Sequence, residues 1–258
     1  MAHRTSLLLV LAVLLCTLAV PAAEADTYHF VTFHFPPMEY TDDGQTAAGV
    51  AVDVVRRVMQ DLGEAVTITV YPWTRALQMV RRGEADAIFT AYRNAERERD
   101  LDFSTEVLFP QVVFFYARSD AHIDFDGDLE TVAGLRIGVV STISYGPRFD
   151  QAKSGLLIDK ARTLEHNFEK LLRRRIDLVP SNIHGAQYTL ARMDADPRIV
   201  RLPQMIEQVP SYIAFSKQRR LLDLRDRFDA RLAQLKADGA YAAILERHNI
   251  QLFESQTP

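Results

Sequence analysis

The densest run of ionisable side chains in this chain of 258 residues lies between Arg93 and Asp100, where Arg93, Arg97 and Arg99 alternate with Glu96, Glu98 and Asp100. An arginine suits one kind of recognition above others. Its planar guanidinium can give two parallel hydrogen bonds to a carboxylate, a charged contact of about 1.5–3 kcal/mol net. On composition alone, however, a mixed run of this kind reads first as a solvated face. Other groups could also meet a small ligand. Trp73 stands at a helix start and Phe35 at a strand end before Pro36-Pro37, where aromatic rings either wall a cleft or pack into a core. The segment Gly138 to Gly146, GVVSTISYG, sets Ser141, Thr142 and free backbone N–H groups where a strand runs into a helix. That arrangement serves an anion through the helix dipole, or serves ordinary N-capping.

The elements that position these residues follow from periodicity. Thr27 to His34 alternates as a first strand, and from Val50 to Leu62 the apolar residues recur at helical spacing before Gly63 as C-cap. Ala65 to Tyr71 is β-rich. Trp73 begins an amphipathic helix with Ala76, Leu77 and Val80 on one face, Gly83 ends it, and Ala87-Ile88-Phe89 reads as a buried strand. Strand, helix, strand, helix, strand is the order of a parallel α/β sheet, whose loops at strand ends bind ligands. After Ser104 come a β-rich run, Gln111 to Ala117, and a second α/β unit: a strand from Gly134 to Val140, a helix from Thr163 to Arg174, a strand from Ile176 to Val179 and a helix from Gly185 to Met193. Ser211 to Ser216 reads as a returning strand, followed by helices at Arg220 to Lys236 and Ala240 to His248.

Composition narrows the classes. The net charge of −4 does not suit nucleic acid, and the histidines fall without ligand spacing, His29 and His34 on opposite faces of one strand, so no metal site is expected. No cofactor fingerprint, nucleophile elbow or phosphate loop is present. Residues 1–25 read as a secretory signal peptide, with Arg4, an apolar run from Leu7 to Val20, and Ala23-Glu24-Ala25 before the cleavage point. The one cysteine, Cys16, lies inside that segment. A mature chain without thiols has no disulfide, thiolate metal site or cysteine nucleophile.

Five stretches in order carry a resemblance: Phe35 to Tyr40 with Gly49 to Asp53; W-x-x-A-L from Trp73; G-E-A-D-A-I from Gly83; E-R-x-x-x-L-D-F-S from Glu96; and Leu235 to Tyr241. The chain resembles the family 3 extracellular solute-binding proteins, the periplasmic receptors of polar amino-acid ABC importers. The resemblance implies a type II periplasmic-binding-protein fold of two α/β lobes with a hinge and a ligand cleft between them. Lobe 1 is expected at 26–112, completed by 235–258, and lobe 2 at 113–234. A periplasmic monomer is implied that captures a small carboxylate-bearing solute, an amino acid or similar compound, by hinge closure and serves a membrane ABC permease without covalent chemistry.

The same resemblance assigns roles. Arg97 would grip the carboxylate, Trp73 and Phe35 would wall the side chain, and Thr90 and Tyr92 would stand beside the ligand, Tyr92 being larger than the family's usual residue. Ser141 and Thr142 would form a second clamp. Asn182 departs from the pattern, because the family commonly has an Asp there to pair with the ligand's ammonium, and Glu39 is the candidate to replace that charge. Two alternatives stay open. One is an enzyme on the same fold, similar to cyclohexadienyl dehydratase, with Glu39 as general acid; the other is an accessory that presents ligand to a membrane sensor.

Overall fold

A computed structural model describes residues 27–41, 44–141, 143–194 and 197–252. The expected signal peptide at 1–25 and the expected clamp residue Thr142 lie outside them.

The first unit is built on β1 (Tyr28–Thr32), whose Phe30, Val31 and Thr32 are buried. The short pair β2 (Tyr40–Thr41) and β3 (Ala47–Ala48) follows, then α1 (Val50–Asp61), β4 (Val66–Val70), α2 (Trp73–Arg81) and β5 (Ala87–Tyr92). β1 lies between β4 and β5 and runs parallel to both. Valine is a poor helix former, because its branched side chain loses rotamer freedom against the preceding turn. α1 nevertheless forms through Val50, Val54, Val55 and Val58, all fully buried at helical spacing. Tertiary burial outweighs propensity here. Asp86, in the G-E-A-D-A-I stretch, is a fold residue: one oxygen accepts from the His29 N–H at 2.7 Å and the other from Arg219 at 2.6 Å.

After β6 (Leu101–Phe103) the chain enters β7 (Phe109–Arg118) and the second unit: β8 (Arg136–Val140), α3 (Pro147–Ala152), β9 (Leu157–Ala161), α4 (Leu164–Leu172), β10 (Val179–Asn182) and α5 (Ile183–Met193). It returns by β11 (Ile199–Ser216), an 18-residue strand, to α6 (Leu222–Ala237) and α7 (Ala240–Arg247). β11 pairs with β7 over its first part and with β5 and β6 from Ser211 to Ser216. The larger sheet therefore runs β10-β7-β11-β5-β1-β4 through both units, and β8 and β9 pair in parallel beside it, tied in where Gly138 N–H donates to Leu178 O at 2.8 Å. β7 and β11 are the two crossings.

The packing differs from the sequence reading in four places. α6 was expected in the second unit, but Leu224, Phe228, Leu232 and Leu235 are buried in one cluster with Val54, Val58 and Met59 of α1. The return to the first unit therefore precedes Ser211 and does not wait for Leu235. The strand expected at Ile176 to Val179 is shifted to β10, because Asp177 turns outward to pair with Arg136 at 3.0 Å and the chain only touches β8 before Val179. α3 and β9 had no clear periodicity. β11 is three times the length expected, its first part alternating buried and exposed residues too irregularly to read, with register shifts against β7.

Candidate functional site

In both units the carboxyl ends of the parallel strands open onto the same space. β1 leads to Phe33–Pro36, β4 to Pro72 and Trp73, and β5 ends with Thr90 and Tyr92; opposite them, β8 leads to Ile143–Tyr145, β9 to Arg162 and Thr163, and β10 ends with Ser181 and Asn182. Together they line a cavity of about 500 Å³. α2, α4 and α5 start at its wall, so three helix N-termini place the positive ends of their dipoles there.

The charged run resolves into pairs and one remainder. Arg81 reaches Glu96 at 2.7 Å and Asp100 at 3.3 Å, Arg93 reaches Glu98 at 2.5 Å, and Arg99 donates to the Glu96 carbonyl at 3.4 Å. Arg97 has no carboxylate partner among the described residues. Its N–H donates to Asn94 Oδ1 at 2.9 Å, its Nη1 donates to Tyr92 O at 2.6 Å, and its guanidinium lies 4.7 Å from the centre of the Trp73 ring. Burial, first of all, lowers its pKa from the ordinary arginine value, the Glu96 charge opposing it, yet a guanidinium stays protonated. A half-buried, oriented cation, one nitrogen held by Tyr92 O and one face set on Trp73, faces the cavity.

The aromatic wall is continuous. Phe33 stacks on Phe35 with ring centres 5.9 Å apart, and Phe33 meets Trp73 edge-on at 5.0 Å. Thr90 owes its place to a bulge: Ala91 pairs with Tyr212 but Ile88 with Ala214, so Phe89 and Thr90 oppose one residue, and Thr90 takes φ 56°. A β-branched residue in this region is rare and costs about 1–3 kcal/mol. The bulge sets Thr90 between the cavity and Glu39, with its hydroxyl bonded to the Glu39 carboxyl. Tyr92 also lines it, its hydroxyl pushed above the ordinary tyrosine range by burial and then by the charges of Asp150 and Glu207 across the cleft.

Two expected site residues are placed otherwise, and the oxygen of a third is already occupied. Glu39 is fully buried behind Thr90, outside the cavity lining, because the turn closed by Phe35 N–H to Glu39 O (2.7 Å) sends Phe35 to the cavity and Glu39 to the core. Its Oε1 is hydrogen-bonded to Thr90 Oγ1, and its pKa is raised well above the ordinary 4.5 by burial, the Thr90 and Thr32 hydroxyls only partly offsetting this. Ser141 is exposed and donates to Ala161 O at 3.1 Å, so this turn meets the cavity through Ile143, Ser144 and Tyr145 instead. Asn182 does line the cavity, but its oxygen is occupied: it caps α5 by accepting from His184 N–H at 2.9 Å and Gly185 N–H at 3.3 Å.

Gln111, on the crossing strand β7, was missed. It is 1% exposed, its Oε1 accepts from Asn182 Nδ2 at 2.6 Å, and its Nε2 faces Ser211 Oγ at 3.5 Å. A polar residue opening an otherwise apolar buried strand was the available signal, since buried amides require partners. Thr163, the N-cap of α4, was read only as the start of a helix. Arg75 lies on the Tyr71 ring, 4.5 Å from its centre, and does not line the cavity.

The sequence profile of the bacterial extracellular solute-binding proteins, family 3, matches residues 30–251, most of the chain. The chain belongs to this family. Among solved structures, this family 3 chain is similar to a histidine kinase sensor domain with similarity to periplasmic binding proteins (19% identity, 86% of this chain and 95% of that chain, TM-score 0.73). It is also similar to the substrate-binding protein of an amino acid ABC transporter (18%, 86% and 98%, 0.67) and to an ancestral amino acid-binding protein described as a precursor of cyclohexadienyl dehydratase (19%, 86% and 94%, 0.68). At such identities the likeness establishes the fold, the two-lobed periplasmic-binding-protein architecture, and no ligand. No curated protein matches the chain.

Proposed function

We propose that this family 3 protein is a receptor that captures a small carboxylate-bearing solute of amino-acid size between its lobes, closing about β7 and β11, and delivers it to a membrane ABC permease from the periplasm. The observation that carries the reading is Arg97, a half-buried cation at the cavity wall whose neighbours in the charged run are paired and which has no carboxylate partner among the described residues. Closure would place Arg97 and the Phe35–Trp73 wall of one lobe against the helix N-termini of the other and exclude water, which strengthens the charged contact. The likeness to the substrate-binding protein of an amino acid ABC transporter supports delivery to a permease, and the likeness to a histidine kinase sensor domain supports the sensor alternative, so the partner is a matter for copurification of membrane proteins with this chain. Against catalysis stands the position of Glu39: the general acid that the enzyme alternative requires is shielded from the cavity by Thr90.

The test is thermal unfolding of the mature chain, freed of carried-over ligand, against a panel of small carboxylates, amino acids and amines. A ligand at ~100 times its Kd adds about 2.7 kcal/mol. For a chain of this size that is a rise of roughly 5–10 °C. A rise with carboxylates that is lost in Arg97→Ala supports capture through Arg97. A rise that survives that substitution removes Arg97 from the site, and no rise with any compound ends the capture reading.

A further inference from the structure

Among the arginines, lysines and carboxylates of the described residues, three line the cavity: Arg97 from the first lobe, and Arg162 and Glu165 from the second. Arg162 follows the last residue of β9 and precedes Thr163, the N-cap of α4, so it stands where that strand's carboxyl end opens onto the cavity. It is exposed at the rim and makes no hydrogen bond or ion pair among the described residues, with Glu165 included.

This is a costly place for a cation. The N-terminus of a helix carries positive potential and favours a carboxylate beside it, not an arginine. Glu165 supplies the acid in the first turn of α4, whereas Arg162 adds a charge of the unfavourable sign without a partner of its own. Such a local conflict is expected where a site, and not the fold, selects the residue. The acids nearest the cavity are engaged elsewhere. Asp150 and Glu207 act on Tyr92, and Asp150 on Arg97, but neither lines the cavity. Asp150 lies 2.5 Å from Lys153 and accepts from the Ser144 hydroxyl and, at 3.4 Å, from Tyr145 N–H; Glu207 accepts from Arg148 N–H at 2.9 Å.

Resting on the capture reading above, we infer that the ligand is a dicarboxylate held at both ends, with Arg97 taking one carboxylate and Arg162 the other. The two cations belong to opposite lobes, so a ligand that meets both bridges the cleft. A monocarboxylate satisfies Arg97 alone. The second charged contact is thereby tied to closure, where the exclusion of water strengthens it.

The experiment is calorimetric titration of the mature chain with pairs of equal chain length that differ in the second carboxylate: glutarate and pentanoate, adipate and hexanoate, and, with an amine in both members, glutamate and norvaline. In at least one pair the dicarboxylate is expected to bind about tenfold or more tighter, and Arg162→Gln is expected to shrink that ratio to within about threefold. Arg75→Gln removes the same charge outside the cavity, on the Tyr71 ring, and is expected to leave the ratio in place. Equal or tighter binding of the monocarboxylates in every pair overturns the inference and leaves the capture reading standing. A ratio unchanged in Arg162→Gln, or lowered as far by Arg75→Gln, overturns the contact given to Arg162. Binding of neither member of any pair overturns the capture reading, and the inference with it.

Discussion

Glu39→Gln separates a buried neutral acid from a buried anion. Thr90 Oγ1 lies within hydrogen-bonding reach of both the Phe89 carbonyl, at 2.7 Å, and Glu39 Oε1. A hydroxyl carries one hydrogen and a carbonyl none. Both contacts are hydrogen bonds only if Glu39 is protonated and donates to Thr90, which then donates to Phe89. The raised pKa, caused chiefly by burial, agrees. The sign follows from proton linkage. The folded state holds the Glu39 proton above pH 4.5, where the unfolded chain releases it, so the contribution of Glu39 to stability is fully present below that pH. It is lost as the pH rises toward the folded pKa, at about 1.4 kcal/mol per pH unit. Glutamine has the same shape and no proton to lose.

The stability of Glu39→Gln minus that of the parent should therefore climb as the pH rises above 4.5, approaching about 1.4 kcal/mol per pH unit for as long as the folded state keeps its proton. As a difference in Tm this is roughly 3–6 °C per pH unit for a chain of this size. Denaturant titrations of both proteins at four pH values from 4.5 up to 7.5 measure it, and the subtraction cancels every other titrating group. A flat difference across the series would mean that Glu39 ionises normally, and the reading of a neutral acid behind the cavity would fall.

Three further substitutions probe the rest of the site and its support. Arg97→Lys keeps the charge but loses the planar fork and the stacking on Trp73, so titration should show carboxylate affinity falling by roughly 10- to 100-fold, with the unfolding midpoint of the unliganded protein almost unchanged. Gly185, in the first turn of α5, would set a Cβ 3.4 Å from Phe35 Cε2 of the opposite lobe; Gly185→Leu should hold the lobes apart, seen as a larger radius of gyration with ligand in small-angle scattering, and a compact liganded variant would count against closure at this contact. Asp229 of α6 accepts from Thr105 N–H at 2.7 Å, Thr105 Oγ1 at 2.8 Å and Glu106 N–H at 3.2 Å. Asp229→Ala should cost about 2–4 kcal/mol in denaturant titration without changing ligand affinity, because α6 packs far from the cleft on the first unit's core.

What could be read from the sequence was what repeats locally. α1 announced itself by the spacing of its valines, α2 by the alternation of Ala76 and Val80 with arginines, and the order of elements gave the parallel sheet of the first unit. What could not be read depended on partners distant in the chain. Arg97 differs from Arg93 and Arg99 in nothing that composition records; it is singled out because Glu96 is occupied by Arg81, which lies fifteen residues before that glutamate. Glu39 looked like a loop carboxylate until the Phe35–Glu39 turn reversed the chain and buried it. The length of β11 was hidden for a related reason, since a strand shared between two units meets different neighbours at its two ends and carries no single alternation.

Asn182 shows the limit from the other side. Its place after a strand and before Ile183 is an N-cap position, and a cap alone would explain an Asn, Asp, Ser or Thr there equally well. What sets the amide apart is Gln111, which reaches the same spot from β7 and accepts from the arm of Asn182 that the cap does not use. An Asp would set an oxygen against the Gln111 oxygen, so that either this bond or the Gln111 contact with Ser211 is given up. Because β7 is also a crossing strand, the Asn182–Gln111 bond ties the cap of α5 to a strand shared by both units.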